Sequence, residues 1–234
     1  MSDLDRFPKP AATVDLVLMT MRDARLTVLL QQRAADPFVG QWALPGGFVR
    51  VEEGLDEAAE RILTEKARMQ GAWIEQLYTF GAPGRDPRGR VITVAYFALL
   101  PRARFDAAME ATDDLALAAL EVPWQGETGG PIKAVSASGE ALSLAFDHGD
   151  ILALAVKRLR GKLDYTEIGF ALLSDRFTLR ELQDVHEAIL GRSLNKPAFR
   201  RRMLERGWLD STGKRETGTG FRPAELYRLK SRKG

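Results

Sequence analysis

The chain has 234 residues, of which 45% are hydrophobic and 28% charged, a balance typical of a globular protein in water. It contains no cysteine, which excludes disulfides and thiolate metal sites, and its two histidines argue against a histidine-based zinc site. No apolar run reaches the roughly 18 residues that span a bilayer, and residues 1–11 lack the apolar segment of a signal peptide. We therefore expect a cytoplasmic protein without a membrane partner.

Charge is distributed unevenly along the chain. Residues 1–160 carry 18 basic and 22 acidic side chains, a net charge of −4, whereas residues 161–234 carry 16 and 10, a net charge of +6. A basic segment attracts polyanions such as nucleic acids, and an acidic segment does not. The distribution predicts two domains with different partners, 1–160 and 161–234.

The first domain has the pattern of a mixed α and β structure. A polar turn at 21–24 separates two apolar runs, which predicts a strand hairpin, and a Pro-Gly-Gly turn closes a strand edge at 41–47. Apolar residues at helical spacing predict helices over 55–69 and 150–160. The segments with strand-like patterns are 14–20, 25–32, 73–80, 91–100 and 142–146.

The second domain begins with helix signals. Thr178 and Glu181 are spaced as a capping box, in which each side chain bonds an exposed amide of the first turn, and Gly191 ends that helix. Asn195 caps a second helix that ends at Gly207, and a glycine-rich basic hairpin follows. Two helices joined by a short turn and followed by a hairpin predict a winged helix-turn-helix.

A spaced motif surrounds the Pro-Gly-Gly turn. Gly47 is followed after five residues by Glu53 and after seven more by Arg61. This spacing, together with the stretch W-A-L-P-G-G-F-V, resembles the Nudix box, which continues as R-E-U-x-E-E-x-G-U with U aliphatic. The resemblance implies an α+β chain: a Nudix α/β/α sandwich with a mixed sheet, followed by the small winged helix-turn-helix domain.

After Arg61 the Nudix box is incomplete. Glu65 stands at one carboxylate position, but Ile62 and Lys66 stand at the other two, and Arg68 replaces the usual glycine. Residues three and four apart share a helical face, where three carboxylates would bind Mg²⁺. A second cation near 4 Å repels such an ion by roughly 4 kcal/mol per charge pair. We therefore expect nucleotide binding with weak or absent hydrolysis.

It follows that no catalytic residue and no metal site are expected, with Glu53 and Glu65 as the only residual catalytic candidates. No cofactor is required on this interpretation, and Mg²⁺ would accompany a nucleotide only at low occupancy. Lys66 is a candidate to contact the phosphate of the ligand directly.

The loop T-F-G-A-P-G-R-D-P-R-G-R at 79–90 resembles the loop of Nudix proteins that handle ADP-ribose. Its arginines are suited to grip a pyrophosphate by forked hydrogen bonds. The alternative is a solvated basic turn in which Asp86 pairs locally. The predicted ligand-binding residues are Arg33, Gly46, Gly47, Arg61, Glu65, Lys66, Arg85, Arg88 and Arg90.

The stretches F-T-L-R-E-L-Q, I-L-G-R-S-L, N-K-P-A-F-R-R-R-M-L and R-P-A-E-L-Y resemble the winged helix of NrtR-type regulators, in which it is fused to a Nudix domain. The resemblance spans nearly the whole chain. It implies a bacterial, dimeric repressor of NAD-metabolism genes that responds to ADP-ribose or a related metabolite and lies on the nucleoid when bound to operator DNA.

The second helix of this domain has two faces. Phe199, Met203 and Leu204 form its apolar side, and arginines point away from it. Arginine reads guanine in the major groove by two hydrogen bonds, and lysine or arginine on a hairpin holds the phosphate backbone. The predicted contacts to double-stranded operator DNA are Lys196, Arg200, Arg201, Arg202, Lys214 and Arg215.

Three alternatives to an ADP-ribose-sensing repressor stay open at this point. One is a Mg²⁺-dependent ADP-ribose pyrophosphatase with an accessory winged helix. Another is a regulator of the same architecture that senses a sugar or a different metabolite. The third is a binding module that does not contact DNA, in which the basic helix face is only solvated.

Overall fold

The structure is a computed structural model that describes residues 3–217 and 223–230. Its helices are α1 Leu55–Glu65, α2 Arg102–Glu110, α3 His148–Lys162, α4 Leu179–Leu190 and α5 Lys196–Glu205, with 3-10 turns at Asp3–Arg6 and Ile168–Leu172. Its strands are β1 Ala11–Arg22, β2 Arg25–Gln32, β3 Trp42–Ala43, β4 Gly46–Phe48, β5 Glu75–Phe80, β6 Val91–Leu99, β7 Leu115–Glu121, β8 Lys133–Val135, β9 Leu209–Arg215 and β10 Glu225–Leu229.

The first eight strands form one mixed sheet in the order β5-β6-β1-β2-β7-β8, with β3 beside β2 and β4 beside β1. The central pair β1–β6 is parallel, whereas β1–β2, β5–β6 and β2–β7 are antiparallel. The predicted hairpin of β1 and β2 and the predicted mixed sheet are confirmed.

The long strand β1 is buried on both faces, because alternate side chains of a strand point to opposite sides. Val17 and Met19 face a core that contains α3, and Leu16 and Leu18 face a second core that contains α1 and α2. The sheet is therefore covered by helices on both faces, which is the predicted α/β/α sandwich.

The C-terminal part forms the predicted winged helix. Thr178 Oγ1 accepts a hydrogen bond from the Glu181 amide at 3.1 Å, and Asn195 Oδ1 accepts one from the Ala198 amide at 3.0 Å. Gly191, with φ of 67°, ends α4 in the left-handed conformation that glycine adopts most readily. The strands β9 and β10 pair as an antiparallel wing.

Helix α4 contributes to two cores. Val185 and Ile189 pack into the core that α3 forms with the sheet, and Leu182 packs into a separate core with Phe199 and Met203 of α5. The winged helix is thus attached to the first domain through the packed side of its first helix.

Several sequence predictions differ from the structure. Helix α1 ends at Glu65 rather than at residue 69, and α3 begins at His148 and continues to Lys162, past the predicted boundary at residue 160. Residues 142–146 form one isolated bridge, between Leu144 and Trp42, instead of a strand, because the neighbouring strand β3 is only two residues long. Leu204 is 48% exposed and does not belong to the apolar side of α5. The elements α2, β7 and β8 were not predicted.

Lys214 and Arg215, predicted at the tip of the hairpin over 209–222, lie in β9, and residues 218–222 of that hairpin lie outside the described residues. None of the helices in the described part of the chain has the length and apolarity needed to cross a membrane.

Candidate functional site

A cavity of about 250 Å³ opens where β1 and β4 meet the end of α1, the 81–90 loop and the segment before α3. The residues that line it are Thr13, Asp15, Arg33, Ala43, Leu44, Gly46, Gly47, Phe48, Lys66, Arg85, Asp86, Arg88, Phe146 and His148. The cavity therefore brings together six of the nine predicted ligand-binding residues, namely Arg33, Gly46, Gly47, Lys66, Arg85 and Arg88.

Arg85 is the most buried cation of the cavity, with 4% of its side chain exposed. Its Nε and Nη2 donate to the two oxygens of Asp147 at 2.8 and 2.6 Å, and Nη2 lies 3.5 Å from Asp15. Burial lowers the pKa of Arg85, but the hydrogen bonds and charge of Asp147 outweigh it, and the pKa is raised. The charge of Arg85 is therefore already balanced within the protein.

Asp15 and His148 form the floor of the cavity beside Arg85. Asp15 Oδ2 accepts a hydrogen bond from Thr93 Oγ1 at 2.7 Å, and its carboxylate packs so closely against Gly46 that a Cβ there would collide with it. His148 Nδ1 accepts from the Leu44 amide at 2.9 Å, which places the proton of the neutral ring on Nε2, 3.7 Å from Asp15 Oδ1. Burial lowers the pKa of His148 and favours this neutral form.

Two aromatic rings and two guanidinium groups line the cavity wall. Arg88 bonds Asp86 through Nε and Nη2 at 3.0 and 2.7 Å and lies over the rings of Phe48 and Phe146. Arg33 lies 4.8 Å from the centre of the Phe146 ring and donates to backbone carbonyls. Burial and the nearby charge of Arg88 lower the pKa of Arg33. Phe146 has φ of 54°, a conformation rare for a bulky residue and one that often marks functional sites.

Lys66 enters the cavity at a position where the Nudix box has a carboxylate. Its ammonium has no hydrogen bond or ion pair to any residue that the structure describes. Ile62, one turn earlier, is fully buried in the core of the sheet, and its Cδ1 lies 3.6 Å from where a Cβ on Gly47 would stand. The helix therefore offers the cavity a cation where a metal site would need an anion.

Glu53 and Glu65 are engaged by arginines outside the cavity. Glu53 accepts hydrogen bonds from Arg61 at 2.8 and 2.5 Å, which hold the pKa of Glu53 at about 2. Arg61 also donates to the Phe48 carbonyl at 2.9 Å, so the pair ties α1 to β4. Glu65 lies 3.3 Å from Arg61 and 3.4 Å from Arg50.

Nudix domains typically use a divalent metal held by carboxylates. Among residues 3–217 and 223–230, no group of three or more histidine, aspartate or glutamate side chains is placed to hold a metal ion. With Ile62 in the core, Lys66 in the cavity and Glu65 paired to arginine, the residues of α1 do not fit such a metal. Arg90, like Arg61 and Glu65, lies away from the cavity lining, and its Nη1 donates to the Gly81 carbonyl at 2.7 Å.

The winged helix has a groove between α4, α5 and the wing, and its lining carries basic side chains together with the acidic residues Glu181, Asp184, Glu216 and Glu225. Lys196, Arg200 and Arg215 line this groove, of about 700 Å³, together with Arg180 from the first turn of α4. Arg180 was not identified from the sequence, although its position two residues after the Thr178 cap is a usable signal.

The other predicted DNA-contacting residues lie elsewhere on this domain. Arg201 and Arg202 line a separate recess along α5, where Arg201 lies 3.9 Å from Glu205 and Arg202 lies 3.7 Å from Asp164. Lys214 is exposed on β9. All of these pairs are at the surface, where such ion pairs stabilise weakly and exchange partners readily.

A Nudix sandwich with a polar cavity, joined to a winged helix of net positive charge, defines a regulator with separate domains for a small ligand and for DNA. Two family models match in that order, the NUDIX domain over residues 9–125 and the NrtR DNA-binding winged helix domain over residues 169–229. The chain belongs to the NrtR family of Nudix-related transcriptional regulators.

Known proteins resemble the chain over nearly its full length. The ADPR responsive transcriptional repressor NtrR of Acinetobacter baylyi is 38% identical over 225 residues, 95% of this chain and 83% of that protein. The crystal structure of Shewanella oneidensis NrtR complexed with a 27mer DNA is 38% identical with a TM-score of 0.76, covering 94% of this chain and 93% of that one. A MutT/nudix family protein from Enterococcus faecalis is 28% identical with a TM-score of 0.74, covering 96% and 88%.

A shorter similarity is to an enzyme. The ADP-ribose pyrophosphatase of Methanocaldococcus jannaschii is 37% identical over 87 residues, which is 37% of this chain and 49% of that protein.

Proposed function

We propose that this protein is a transcriptional repressor of NAD-metabolism genes that binds operator DNA through its winged helix and responds to ADP-ribose or a related NAD metabolite. The observation that carries the proposal is a cavity with two unpaired cations in the same chain as a winged helix segment, 161–234, that carries 16 basic and 10 acidic side chains. The similar Acinetobacter repressor is described as ADPR responsive, and the similar Shewanella protein was crystallised with DNA.

The charges of the cavity suit a pyrophosphate diester. Arg85 and Arg88 are balanced by aspartates, whereas Lys66 and Arg33 have no acidic partner within 4.0 Å among the described residues. These two unpaired cations match the two negative charges of a pyrophosphate diester. Hydrogen bonds between charged groups are stronger than hydrogen bonds between neutral groups. The rings of Phe48 and Phe146 supply apolar faces on which a base can stack.

We assign the ligand role within the cavity, in three different ways, to Arg33, Lys66, Gly46, Gly47, Arg85 and Arg88. Lys66 and Arg33 contact the phosphates directly. Arg85 and Arg88 shape the wall, because their partners already hold them. Gly46 lets the backbone of β4 approach the floor of the cavity, because a Cβ there would collide with Asp15, and Gly47 lines the wall beside it. Arg61, Glu65 and Arg90 act at a distance from it.

Ligand binding in the cavity needs no metal, because Lys66 supplies a positive charge in its place. Mg²⁺ accompanies the nucleotide at low occupancy. Hydrolysis of the ligand is weak or absent. Calorimetric titration with ADP-ribose tests this, once with Mg²⁺ and once with EDTA. We expect the same affinity for ADP-ribose under both conditions. Lys66→Gln should bind ADP-ribose about tenfold or more weakly, and Lys66→Arg should keep the wild-type affinity. Affinity that disappears with EDTA would refute metal-free binding.

The same titration separates the effector from other metabolites. ADP-ribose should bind more tightly than AMP or ribose 5-phosphate, because each fragment lacks part of the pyrophosphate diester. Tighter binding of either fragment would favour a regulator of a different metabolite.

An active ADP-ribose pyrophosphatase is the second candidate, and the similarity to the Methanocaldococcus enzyme favours it. Release of AMP from ADP-ribose in Mg²⁺ would measure the activity. Rapid turnover that Glu65→Gln abolishes would establish the enzyme and overturn the proposal of a binding-only pocket.

For DNA we propose that α5 of each subunit of a homodimer enters the major groove of one half-site. Arg200, Arg201 and Arg202 read bases, and Lys196, Arg180, Lys214 and Arg215 hold phosphates. A duplex selected from random sequence by the protein itself is the probe. Arg201→Ala and Arg202→Ala should each weaken binding to this duplex by about 1–3 kcal/mol. Lys214→Ala should reduce the slope of log affinity against log salt concentration by about 1, the value for one lost phosphate contact.

Arg158→Ala is the control, because Arg158 is an exposed arginine on α3, in the Nudix domain. Unchanged affinity in the α5 variants would support a module that does not contact DNA through this helix. We place the protein in the bacterial cytoplasm, on the nucleoid when it is bound to DNA.

A further inference from the structure

Helix α3 begins at the cavity. Asp147, the residue before its first turn, holds Arg85 through two hydrogen bonds, and His148 accepts a hydrogen bond from the Leu44 amide. Phe146, immediately before them, contributes a ring to the cavity wall. A ligand that moves Arg85 or the Phe146 ring therefore acts on the N-terminal end of α3.

At the other end of α3, the buried side chain of Arg160 adds hydrogen bonds to the apolar packing of α3 against Val185 and Ile189 of α4. Arg160 is 4% exposed, its Nε donates to the Ile189 carbonyl at 2.8 Å, and its Nη1 donates to the Trp124 carbonyl at 2.8 Å. Its guanidinium lies 4.6 Å from the centre of the Trp124 ring. No acidic residue among those described forms an ion pair with it, so backbone carbonyls of both domains satisfy this buried cation.

The Ile189 carbonyl, which accepts the hydrogen bond from Arg160, belongs to the last turn of α4. Carbonyls in the last turn lack partners within the helix, and the helix dipole favours a cation there. Gly191, which ends α4, leaves room for the guanidinium: a Cβ there would lie 3.0 Å from Arg160 Nη2. Arg160 therefore caps the C-terminal end of the first helix of the helix-turn-helix.

The connection between the two ends is rigid. Arg160 lies twelve positions after His148, so this part of α3 spans about 18 Å at 1.5 Å per residue. Between them, Ile151, Leu152 and Val156 are fully buried against the sheet. A close-packed helix moves as a body instead of deforming along its length.

We propose that α3 transmits the effector signal to the DNA-binding helices, with Arg160 as the positioning residue that fixes α4 to it. The inference rests on the proposed function. A ligand that favours one position of α3 favours the matching position of α4, and through it the spacing of the two α5 helices of a dimer on DNA. The coupling is a difference in free energy between two arrangements, so it is reciprocal.

Three variants of α3 test this proposal. Arg160→Met keeps much of the apolar stem and removes the hydrogen bonds, and Arg160→Lys keeps one donor. Arg158→Met is the matched control, since it removes an exposed arginine from the same helix. For each, ADP-ribose affinity is measured without DNA, and affinity for the selected duplex is measured with and without saturating ADP-ribose.

We expect the ADP-ribose affinity of Arg160→Met to lie within about threefold of the wild-type affinity. The change in DNA affinity that ADP-ribose causes should be about fivefold or more smaller than in the wild type, where typical couplings change affinity by about 5–150-fold. Arg160→Lys should lie between, and it remains informative if Arg160→Met does not fold. Arg158→Met should match the wild type.

The outcomes separate the two proposals. If ADP-ribose does not change the DNA affinity of the wild-type protein, the proposed function and the coupling role are both overturned. A responsive wild type beside Arg160 variants with an unchanged response would overturn the coupling role alone. A loss of ADP-ribose affinity in Arg160→Met equal to the loss of response would show that Arg160 maintains the cavity instead.

Discussion

Replacing Asp147 with asparagine would break the strongest buried ion pair of the cavity. Asp147 meets Arg85 through two hydrogen bonds of 2.8 and 2.6 Å, and the Arg85 side chain is almost fully buried. Asparagine has nearly the same shape but no charge, so Arg85 would keep one hydrogen bond and a more distant carboxylate, Asp15, at 3.5 Å. A buried cation without its main partner destabilises the folded state.

Removing one partner of a buried pair destabilises by about 3–5 kcal/mol. The hydrogen bond that asparagine retains and the charge of Asp15 place Asp147→Asn at the lower end, about 3 kcal/mol. For a chain of this size, each kcal/mol changes the melting temperature by about 2–4 °C, so we expect a decrease of about 6–12 °C.

Thermal and urea unfolding of Asp147→Asn beside Asp106→Asn measure this effect. Asp106 pairs with Arg102 at 2.7 Å, but both side chains are well exposed, at 45% and 35%. Such surface pairs contribute about 0.2–1 kcal/mol, so the control should lose little stability. Equal losses in the two variants would refute the argument that burial makes the Arg85–Asp147 pair important.

The remaining predictions concern other local features. Because Arg61 holds the pKa of Glu53 at about 2, below its ordinary value of 4.5, this pair stabilises the protein above pH 4.5 and loses that contribution as pH falls toward 2. The melting temperature of Glu53→Gln should therefore fall less steeply over this range than that of the wild type; parallel slopes would contradict it. Thr178→Ala removes a helix cap and should lower the free energy of unfolding in urea by about 0.5–2 kcal/mol; a smaller decrease would show that this cap does not stabilise α4. Gly46→Ala should lower the melting temperature by several degrees and weaken ADP-ribose binding, whereas Gly47→Ala should be tolerated, and an equal effect would show that close approach at Gly46 is unimportant.

Local chemistry allowed much of the winged helix and part of the cavity to be predicted. The Thr178 cap and the Asn195 cap depend on residues three apart, and both are present in the structure. The replacement of carboxylates at Ile62 and Lys66 is likewise a property of positions along one helix. The strand predicted at 142–146 was wrong, because the strand beside it, β3, is only two residues long and pairs with it at a single bridge, Trp42 with Leu144.

The sequence by itself determined that this chain has an acidic Nudix domain and a basic winged helix. It also determined that the Nudix helix lacks two of the carboxylates that bind metal, since composition, capping and motif spacing are local properties. Only the tertiary structure decided which charges remain unpaired. Arg85 is balanced by Asp147, 62 positions away, and Arg160 is satisfied by carbonyls of Ile189 and Trp124, 29 and 36 positions away. Such pairs depend on which strands and helices become neighbours, and no short period in the sequence encodes that.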